Sequence, residues 1–383
     1  MESSIELEGG SRATNTWIDE TENNRDSLCD QVEDFNRPSE ASGVYIETVQ
    51  ADHCPYINSR ALVSSLPNEI LSTIFEAGHL SSPSGPSQQP FESLVSQVTT
   101  RWRRTALATP QLWTRLYIDF GHSSHSMTEA YLSRSGALPL DLHLTTRDAS
   151  VSEFDETVHF SLIRRHANRW RRLRVDPAWQ NVLNQLLDIL PSTVPLLECV
   201  QICSEEVDQK DILARGIFEG GAPSLTAVGI RGIDLQCCLP PLATVTSLQL
   251  HSAALSQTLA STLNGLPALT FLVIDGAFSR WEHLRTTFSL PALEEFRLIT
   301  WSAGDMPDLL KMISAPLLNS LLLENVVPSD IDDFLSSVGW TPGWVKYPRL
   351  RFLTVLTSEG SSFKPLEGRP RASKSNSCSK KVI

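Results

Sequence analysis

The strongest constraint on the fold is a short apolar pattern that recurs through residues 161–357. Most copies place a Pro two residues before a Leu, with further apolar residues three and five positions beyond that Leu. Examples are VPLLECVQI, LPALTFLVI and LPALEEFRL. The leading apolar residues follow at intervals of 20–32 residues and are Trp170, Leu197, Leu225, Val245, Leu269, Leu293, Leu318 and Leu350. Self-similarity at such a period predicts a stack of small structural units.

Each copy predicts a short strand, followed by a segment of helical character. The last two apolar residues of a copy alternate, as a half-buried strand requires, whereas intervening segments such as LNQLLDIL carry helical spacing. One such unit cannot bury its apolar face alone, so neighbouring units must stack. The period is typical of leucine-rich repeats, and we predict an irregular solenoid with a parallel inner sheet. Its buried positions include Leu272, Ile274, Leu298 and Leu323.

Residues 61–120 predict a small all-α unit ahead of the repeats. Pro67 suits the start of a helix, because its missing N–H would have no partner there. We expect this helix to end near Gly78 and a loop rich in Ser and Pro to span residues 81–90. A second helix is predicted over residues 91–108 from its apolar spacing, followed by a short third helix over QLWTRL.

The same segment resembles an F-box. The family pattern runs Leu-Pro-x-Glu-Ile-Leu, then Ile-Phe, then Val-x-x-x-Trp-Arg, then Leu-Trp. The matching residues here are Leu66, Pro67, Glu69, Ile70, Leu71, Ile74, Phe75, Val98, Trp102, Arg103, Leu112 and Trp113. The following YLSRSGALPLDLHL resembles the segment after the F-box in mushroom-type fungal proteins. Thr99 stands where the family often has Cys or Ser.

The resemblance implies a partner for the helical unit. F-boxes dock on the Skp adaptor, which links them to a cullin scaffold and a RING subunit, while a downstream domain selects proteins for ubiquitin transfer. It implies adaptor binding by Leu66, Pro67, Ile70, Leu71, Ile74, Phe75, Val98, Trp102, Leu112 and Trp113. The alternative for each residue is packing inside the unit, and we expect that alternative above all for Val98 and Trp102.

Composition excludes other classes of function. A formal net charge of −12 argues against nucleic-acid or anionic-membrane partners. No apolar run is long enough for a membrane span, and MESSIELEGG lacks a secretory h-region. We expect an intracellular protein, cytoplasmic and/or nuclear, with reduced cysteines. We also expect disorder in the acidic residues 1–60 and the basic residues 358–383, and a connecting segment over residues 121–160.

The sequence contains none of the common catalytic or nucleotide-binding motifs that we searched for. There is no G-x-S-x-G, P-loop, H-E-x-x-H or G-x-G-x-x-G. Cys199 and Cys203 face the same side of one predicted strand, and we expect free thiols there rather than a metal site. We expect His122 and His125 to be solvated in a loop, and the arginine-rich residues 164–175 to form a solvated face. No metal or cofactor is predicted.

These features predict a non-catalytic, substrate-recognition adaptor of an SCF-type ubiquitin ligase. The F-box would bind the Skp adaptor and the cullin complex, and the repeats would bind an unidentified target protein. A binding scaffold outside any ligase, or an enzyme with a site on the solenoid, are the alternatives. Strand alternation sends one set of residues to the concave face as predicted target contacts: Gln249, Phe271, Val273, Glu295, Arg297, Leu322 and Glu324.

Overall fold

The computed structural model describes residues 62–82, 89–120, 124–146, 156–177, 180–204, 215–233, 235–251, 261–264, 266–276, 287–300, 309–310, 312–326, 347–357 and 381–382. The expectations for residues 1–60 and for His122 lie outside these residues, as do those for nearly all of 358–383. The chain divides into two compact units, residues 1–71 and residues 72–383. Helix α1, Asn68–Ser81, contains the boundary between them.

The described part of the first unit is residues 62–71. It opens with a 3₁₀ helix, Leu62–Ser65, in which the Ser65 hydroxyl donates to the Leu62 carbonyl at 2.7 Å. Pro67 directly precedes α1, and its carbonyl accepts a hydrogen bond from the Leu71 N–H at 3.1 Å. The proline therefore sits where the chain enters the helix, where a missing N–H leaves nothing unpaired.

Further helices lie in the second unit. They are α2 (Phe91–Val98), α3 (Thr100–Leu107), α4 (His125–Arg134), α5 (Glu156–Arg164) and α6 (Gln180–Ile189), with 3₁₀ turns at Pro110–Trp113, Ala167–Arg169 and Leu235–Cys238. Helix α1 continues beyond the predicted end at Gly78, and the Ser82 hydroxyl donates to the Gly78 carbonyl at 2.8 Å. His125 begins α4, so the expectation that it lies in a loop is wrong.

The single helix predicted over residues 91–108 is also wrong, because Thr99 divides it. Thr99 is extended, with φ −148° and ψ 162°, and its side chain accepts a hydrogen bond from the Trp102 N–H at 3.1 Å. Threonine is a favoured N-cap, since its hydroxyl satisfies one of the unpaired N–H groups at a helix start. The chain therefore ends one helix and begins another within two residues.

A mostly parallel β-sheet forms the larger part of the second unit, which confirms the mixed α/β class. The strands are β1 (Arg115–Asp119), β2 (Leu140–Thr146), β3 (Trp170–Pro177), β4 (Cys199–Cys203), β5 (Ala227–Arg231), β6 (Ser247–His251), β7 (Phe271–Gly276), β8 (Phe288–Ser289), β9 (Glu295–Thr300), β10 (Ile313–Ser314), β11 (Ser320–Val326), β12 (Phe352–Thr357) and β13 (Lys381–Val382). The main sheet runs β1-β2-β3-β4-β5-β6-β7-β9-β11-β12-β13. Only its last pair, β12 and β13, is antiparallel among the described strands. Strands β8 and β10 form a separate parallel pair.

Two rows of apolar side chains cross the main sheet in register. The first row is Leu116, Leu142, Leu173, Val200, Val228, Leu248, Leu272, Phe296, Leu321 and Leu353. The second is Ile118, Leu144, Val175, Ile202, Ile230, Leu250, Ile274, Leu298, Leu323 and Val355. All of them are buried except the half-buried Val355. Residues two apart on a strand share a face, so both rows lie on one side of the sheet.

The proline of the repeat has a structural role in the turn before each strand. The Leu269 N–H donates to the Leu266 carbonyl, and the Leu293 N–H donates likewise to the Leu290 carbonyl. Each bond closes a four-residue turn whose second residue is the proline, a position at which its fixed φ is favoured. The same bond recurs at Leu197, Leu225, Val245, Leu318 and Leu350.

The parallel sheet begins earlier in the chain than the predicted start at residue 161. Strand β1 lies within the predicted helical unit, and β2 lies within the predicted connecting segment. Trp113 stands three residues before Leu116, in the position that the leading Leu takes in later copies, and is 3% exposed. Strand β1 escapes the sequence pattern because Leu112 and Leu116 of QLWTRL also have helical spacing. Strand β2 escapes it because its leading Leu140 lies two residues before Leu142 instead of three.

Because both rows are buried apart from Val355, we expect deletion of one of their buried side chains to destabilise the folded protein strongly. Leu298→Ala removes a fully buried leucine and should lower the free energy of unfolding by about 2–5 kcal/mol. Gln249→Ala, on the opposite face, should change it by no more than about 0.5 kcal/mol. Urea denaturation followed by circular dichroism measures both, and equal stability of the two variants would contradict this register.

Candidate functional site

The helical part of the second unit has its own small aromatic core. The rings of Phe75 and Trp102 lie 5.0 Å apart at 57°. The Trp113 indole N–H donates to the Ala106 carbonyl at 2.9 Å, and its ring meets Tyr131 edge-on at 5.0 Å. The Arg134 guanidinium lies 4.4 Å from the Trp113 ring centre, a favourable cation–π distance.

The predicted adaptor-binding residues therefore fall into two groups. Buried residues are Leu71 in the first unit, and Phe75, Leu112 and Trp113 in the second. Exposed residues are Pro67 and Ile70 in the first unit, and Ile74 and Val98 in the second. Leu66 and Trp102 are half-buried. The buried group packs inside the protein, which leaves the exposed group available for a partner.

Val98 differs from the expectation that it packs inside the helical unit. Its side chain is 55% exposed, because it is the last residue of α2 and the extended Thr99 turns the chain away directly after it. Leu94, one helical turn earlier and therefore on the same face of α2, is 47% exposed. The end of α2 thus presents two neighbouring apolar side chains to solvent.

The predicted target contacts share the sheet face opposite the buried rows. Gln249, Val273, Arg297 and Leu322 are successive register partners across β6, β7, β9 and β11. Phe271 and Glu295 are partners in the neighbouring row. Arg297 Nη2 lies 2.7 Å from Glu324 Oε1, so the two charges compensate each other on this face.

Val273 does not fit the predicted set of target contacts, because its side chain is only 4% exposed. Its register partners Gln249 and Arg297 carry longer side chains on either side. A short side chain between two long ones is shielded from solvent. Contact with a target would therefore fall to the residues around Val273.

A cleft of about 770 Å³ lies between the helices and the first strands of the second unit. The sheet side presents alternate residues of β1–β3, which are Arg115, Tyr117, Asp141, His143, Arg172 and Arg174. The helical side includes Phe91, Leu94, Met127 and Tyr131. These residues come from separate parts of the chain, so no local motif pointed to this cleft.

Glu92 anchors the helical side of the cleft. The Tyr131 hydroxyl donates to Glu92 Oε1 at 2.5 Å, and His79 Nδ1 lies 3.4 Å from Glu92 Oε2. Burial, together with the charge of Glu92, raises the pKa of Tyr131 well above its ordinary value. The phenol therefore stays protonated and keeps donating to the carboxylate, which connects α4 to α2.

Several arginines of residues 164–175 are engaged with the protein, so the expected solvated face is only partly present. Arg169 is buried and donates to the Leu138 carbonyl and to the Ser135 hydroxyl, both at 2.8 Å. Arg171 donates two hydrogen bonds to Asp141, at 2.9 and 2.7 Å, and these raise the pKa of Arg171. The cluster thus contributes to packing at the start of the sheet.

Asp176 holds a second polar cluster at the end of β3. His143 Nε2 and Arg174 Nε each lie 2.7 Å from Asp176 Oδ2. Burial raises the pKa of Asp176, but the hydrogen bonds from His143 and Arg174 outweigh it and leave the pKa below its ordinary value. The folded protein therefore favours the ionised carboxylate.

Cys199 and Cys203 are free and half-buried. Burial raises the pKa of both thiols, that of Cys203 to about 11. Protonated thiols are poor nucleophiles, so neither side chain is prepared for covalent chemistry. Among the described residues, no group of His, Cys, Asp and Glu could hold a metal ion.

Comparisons with known proteins return no match, either among family models or among curated proteins. Within the described part of the chain, none of the helices has the length and apolar character needed to cross a membrane.

The Asp176 cluster predicts a specific pH dependence of stability. Because its pKa is lowered on folding from an ordinary value of 3.8, its contribution is fully present above that value and is lost as the pH falls through the folded pKa. Asp176→Asn should therefore be less stable than the parent chain near pH 7, and the difference should shrink below about pH 4. Urea denaturation midpoints of the two proteins, measured from about pH 7 to below about pH 4, give the difference in stability. A difference in stability that does not change with pH would contradict the role of the carboxylate.

Proposed function

We propose that this chain is the substrate-recognition adaptor of an SCF-type ubiquitin ligase, with an F-box in residues 61–120. The observation that carries the proposal is the exposure of Ile74 and Val98, two apolar positions of the F-box-like pattern in the second unit. Other residues of that pattern, such as Phe75 and Trp113, fill the protein interior. Isolated exposed apolar residues are ordinary on protein surfaces, but Ile74 and Val98 are among the positions for which the F-box resemblance implies adaptor binding.

The magnitudes are compatible with a specific complex. Burying one exposed aliphatic side chain contributes about 1.5–3 kcal/mol. A few such contacts suffice for affinity once the costs of association are met. The adaptor-binding surface that we propose within the second unit consists of Ile74, Leu94 and Val98, all exposed.

The second part of the proposal is that the repeats form an irregular leucine-rich solenoid. Its support is the strand order, which follows the chain order across the main sheet apart from the separate β8–β10 pair. Stacked repeats contact only their neighbours in sequence, and this order has that property. Strands β1 and β2 would extend the solenoid back to the helical unit.

The third part is that the face opposite the buried rows binds the target protein. Phe271, Arg297 and Leu322 combine apolar surface with charge there, which suits a protein partner better than a phosphate-rich one. The protein itself would do no chemistry, because ubiquitin transfer belongs to other subunits of the ligase.

Adaptor binding should fail when the exposed residues are made polar. The double change Ile74→Ser and Val98→Ser should weaken binding of purified Skp adaptor on the order of 100-fold, measured by calorimetry. Both side chains are exposed, so stability should stay nearly unchanged. Phe352→Ser, at an exposed aromatic residue of β12, is the matched control and should bind normally.

A pull-down from cell extract completes this test. Recovery of both the Skp adaptor and cullin is expected. Recovery of the adaptor without cullin would instead indicate a scaffold outside the ligase, and equal adaptor affinity in the parent chain and the double variant would contradict the surface.

Target capture should fail when the sheet face is changed. Arg297→Glu breaks the ion pair with Glu324 and sets two like charges together, and Phe271→Ala removes an aromatic side chain. Together they should abolish capture of targets identified by mass spectrometry under proteasome inhibition, while adaptor binding is kept. Arg351→Glu, an exposed charge outside this face, is the control. Capture that survives the double change but is lost when the inter-strand loops are altered would locate recognition elsewhere.

A further inference from the structure

The cleft between α2, α4 and strands β1–β5 shares Leu94 with the proposed adaptor-binding surface, and its other lining residues have no role in the proposed function. It lies entirely within the second unit and encloses about 770 Å³. Sites for small organic ligands commonly have volumes of about 300–1,000 Å³, with apolar walls and a few convergent polar groups. The cleft has both, and its two sides differ in chemistry.

The accessible charge in the cleft is mainly positive. Two of its three acidic lining residues, Glu92 and Asp141, are covered, with side chains 5% and 15% exposed. Glu92 is engaged by Tyr131 and His79, and Asp141 by the fork of Arg171. Because both carboxylates are covered and already hydrogen-bonded, they contribute little to the binding of a ligand.

The arginines are more accessible than these acids. Arg172 is exposed and makes no ion pair or side-chain hydrogen bond to another described residue. The Arg174 side chain is 52% exposed, although Arg174 pairs with Asp176. Glu198 is the exposed acid among the lining residues, and its charge helps to raise the pKa of Arg171. An incoming oxyanion would therefore meet Arg172 as an exposed charge that has no ion pair with another described residue.

The helical side supplies apolar surface. Leu94 and Met127 are 47% and 42% exposed and line the cleft together with the Phe91 ring. That ring packs so closely on α1 that a Cβ added at Gly78 would lie 2.3 Å from it. The ring is therefore held in place, as a rigid wall requires.

The cationic side of the cleft extends over two strand spacings. Arg115 Nη1 donates to the His79 carbonyl at 2.9 Å, which places β1 beside the end of α1. Arg115, Asp141 and Arg172 are successive register partners on β1, β2 and β3. Two strand spacings amount to about 10 Å, so Arg172 lies roughly that far across the sheet from Arg115.

We propose that this cleft binds a small amphipathic organic anion. Its oxyanion, a carboxylate or a phosphate, pairs with the guanidinium of Arg172, whose planar fork matches both groups. Its aromatic or aliphatic body lies against Leu94, Met127 and Phe91. This inference does not depend on the proposed function, because it concerns only the cleft of the folded chain.

The test uses anilinonaphthalene sulfonate, an aromatic anion whose fluorescence rises when it leaves water. The full chain should bind the dye. Arg172→Gln should weaken binding at least ~10-fold through loss of a charge-assisted contact, whereas Arg351→Gln, at an exposed arginine outside the cleft, should leave it unchanged. Ala227→Phe, which fills the cleft from β5 without changing charge, should weaken binding similarly.

Competition distinguishes the anion site from general apolar adsorption. Phenylbutyrate should displace the dye from the parent chain, and the neutral phenylbutyramide should not do so at the same concentration. Equal dye affinity in the parent chain and Arg172→Gln would overturn the proposal, as would equal displacement by the acid and its amide. If Ala227→Phe does not fold, Arg172→Gln decides the question. None of these assays measures binding of the Skp adaptor. The anion-site proposal can therefore fail while the proposed function stands, and the reverse is also true.

Discussion

The register of ten parallel strands is the constraint on which the rest of the second unit depends. Each strand except β12 buries two alternate apolar residues, and the partners of those residues on the next strand are apolar as well. A slip of one residue would reverse the two faces of a strand and expose its buried pair. Because Leu272 and Ile274 sit between buried partners on both sides, the burial energy of each strand fixes the position of its neighbours.

Backbone hydrogen bonds at the start of each strand support this register. The N–H groups of Glu294 and Glu295 both donate to the Thr270 carbonyl, and those of Thr270 and Phe271 both donate to the Thr246 carbonyl. These bonds join each copy to the preceding one before the strands begin to pair. The opposite face of the sheet is then left for polar and functional side chains, including Arg172 near one end and Arg297 further along.

The sequence predicted the parts of the fold that repeat and missed those that do not. Alternation and the Pro-x-Leu turn predicted the parallel sheet and the burial of Leu298. The same pattern does not reveal β1, because Leu112 and Leu116 of QLWTRL also have the spacing of a helical turn. The break at Thr99 was missed because threonine is acceptable both inside a helix and at its N-cap. The cleft was missed because its groups come from segments far apart in the chain, and only the folded sheet brings Arg172 into the same cleft as Leu94.

We propose that the helical part of the second unit binds the Skp adaptor while the sheet remains free for a target. Hydrogen–deuterium exchange of the full chain, with and without the purified adaptor, tests both halves at once. We expect slower amide exchange in residues 91–107 when the adaptor is present and unchanged exchange in β6, β7 and β9. Slower exchange confined to the sheet, or no change in the helices at saturating adaptor, would contradict it.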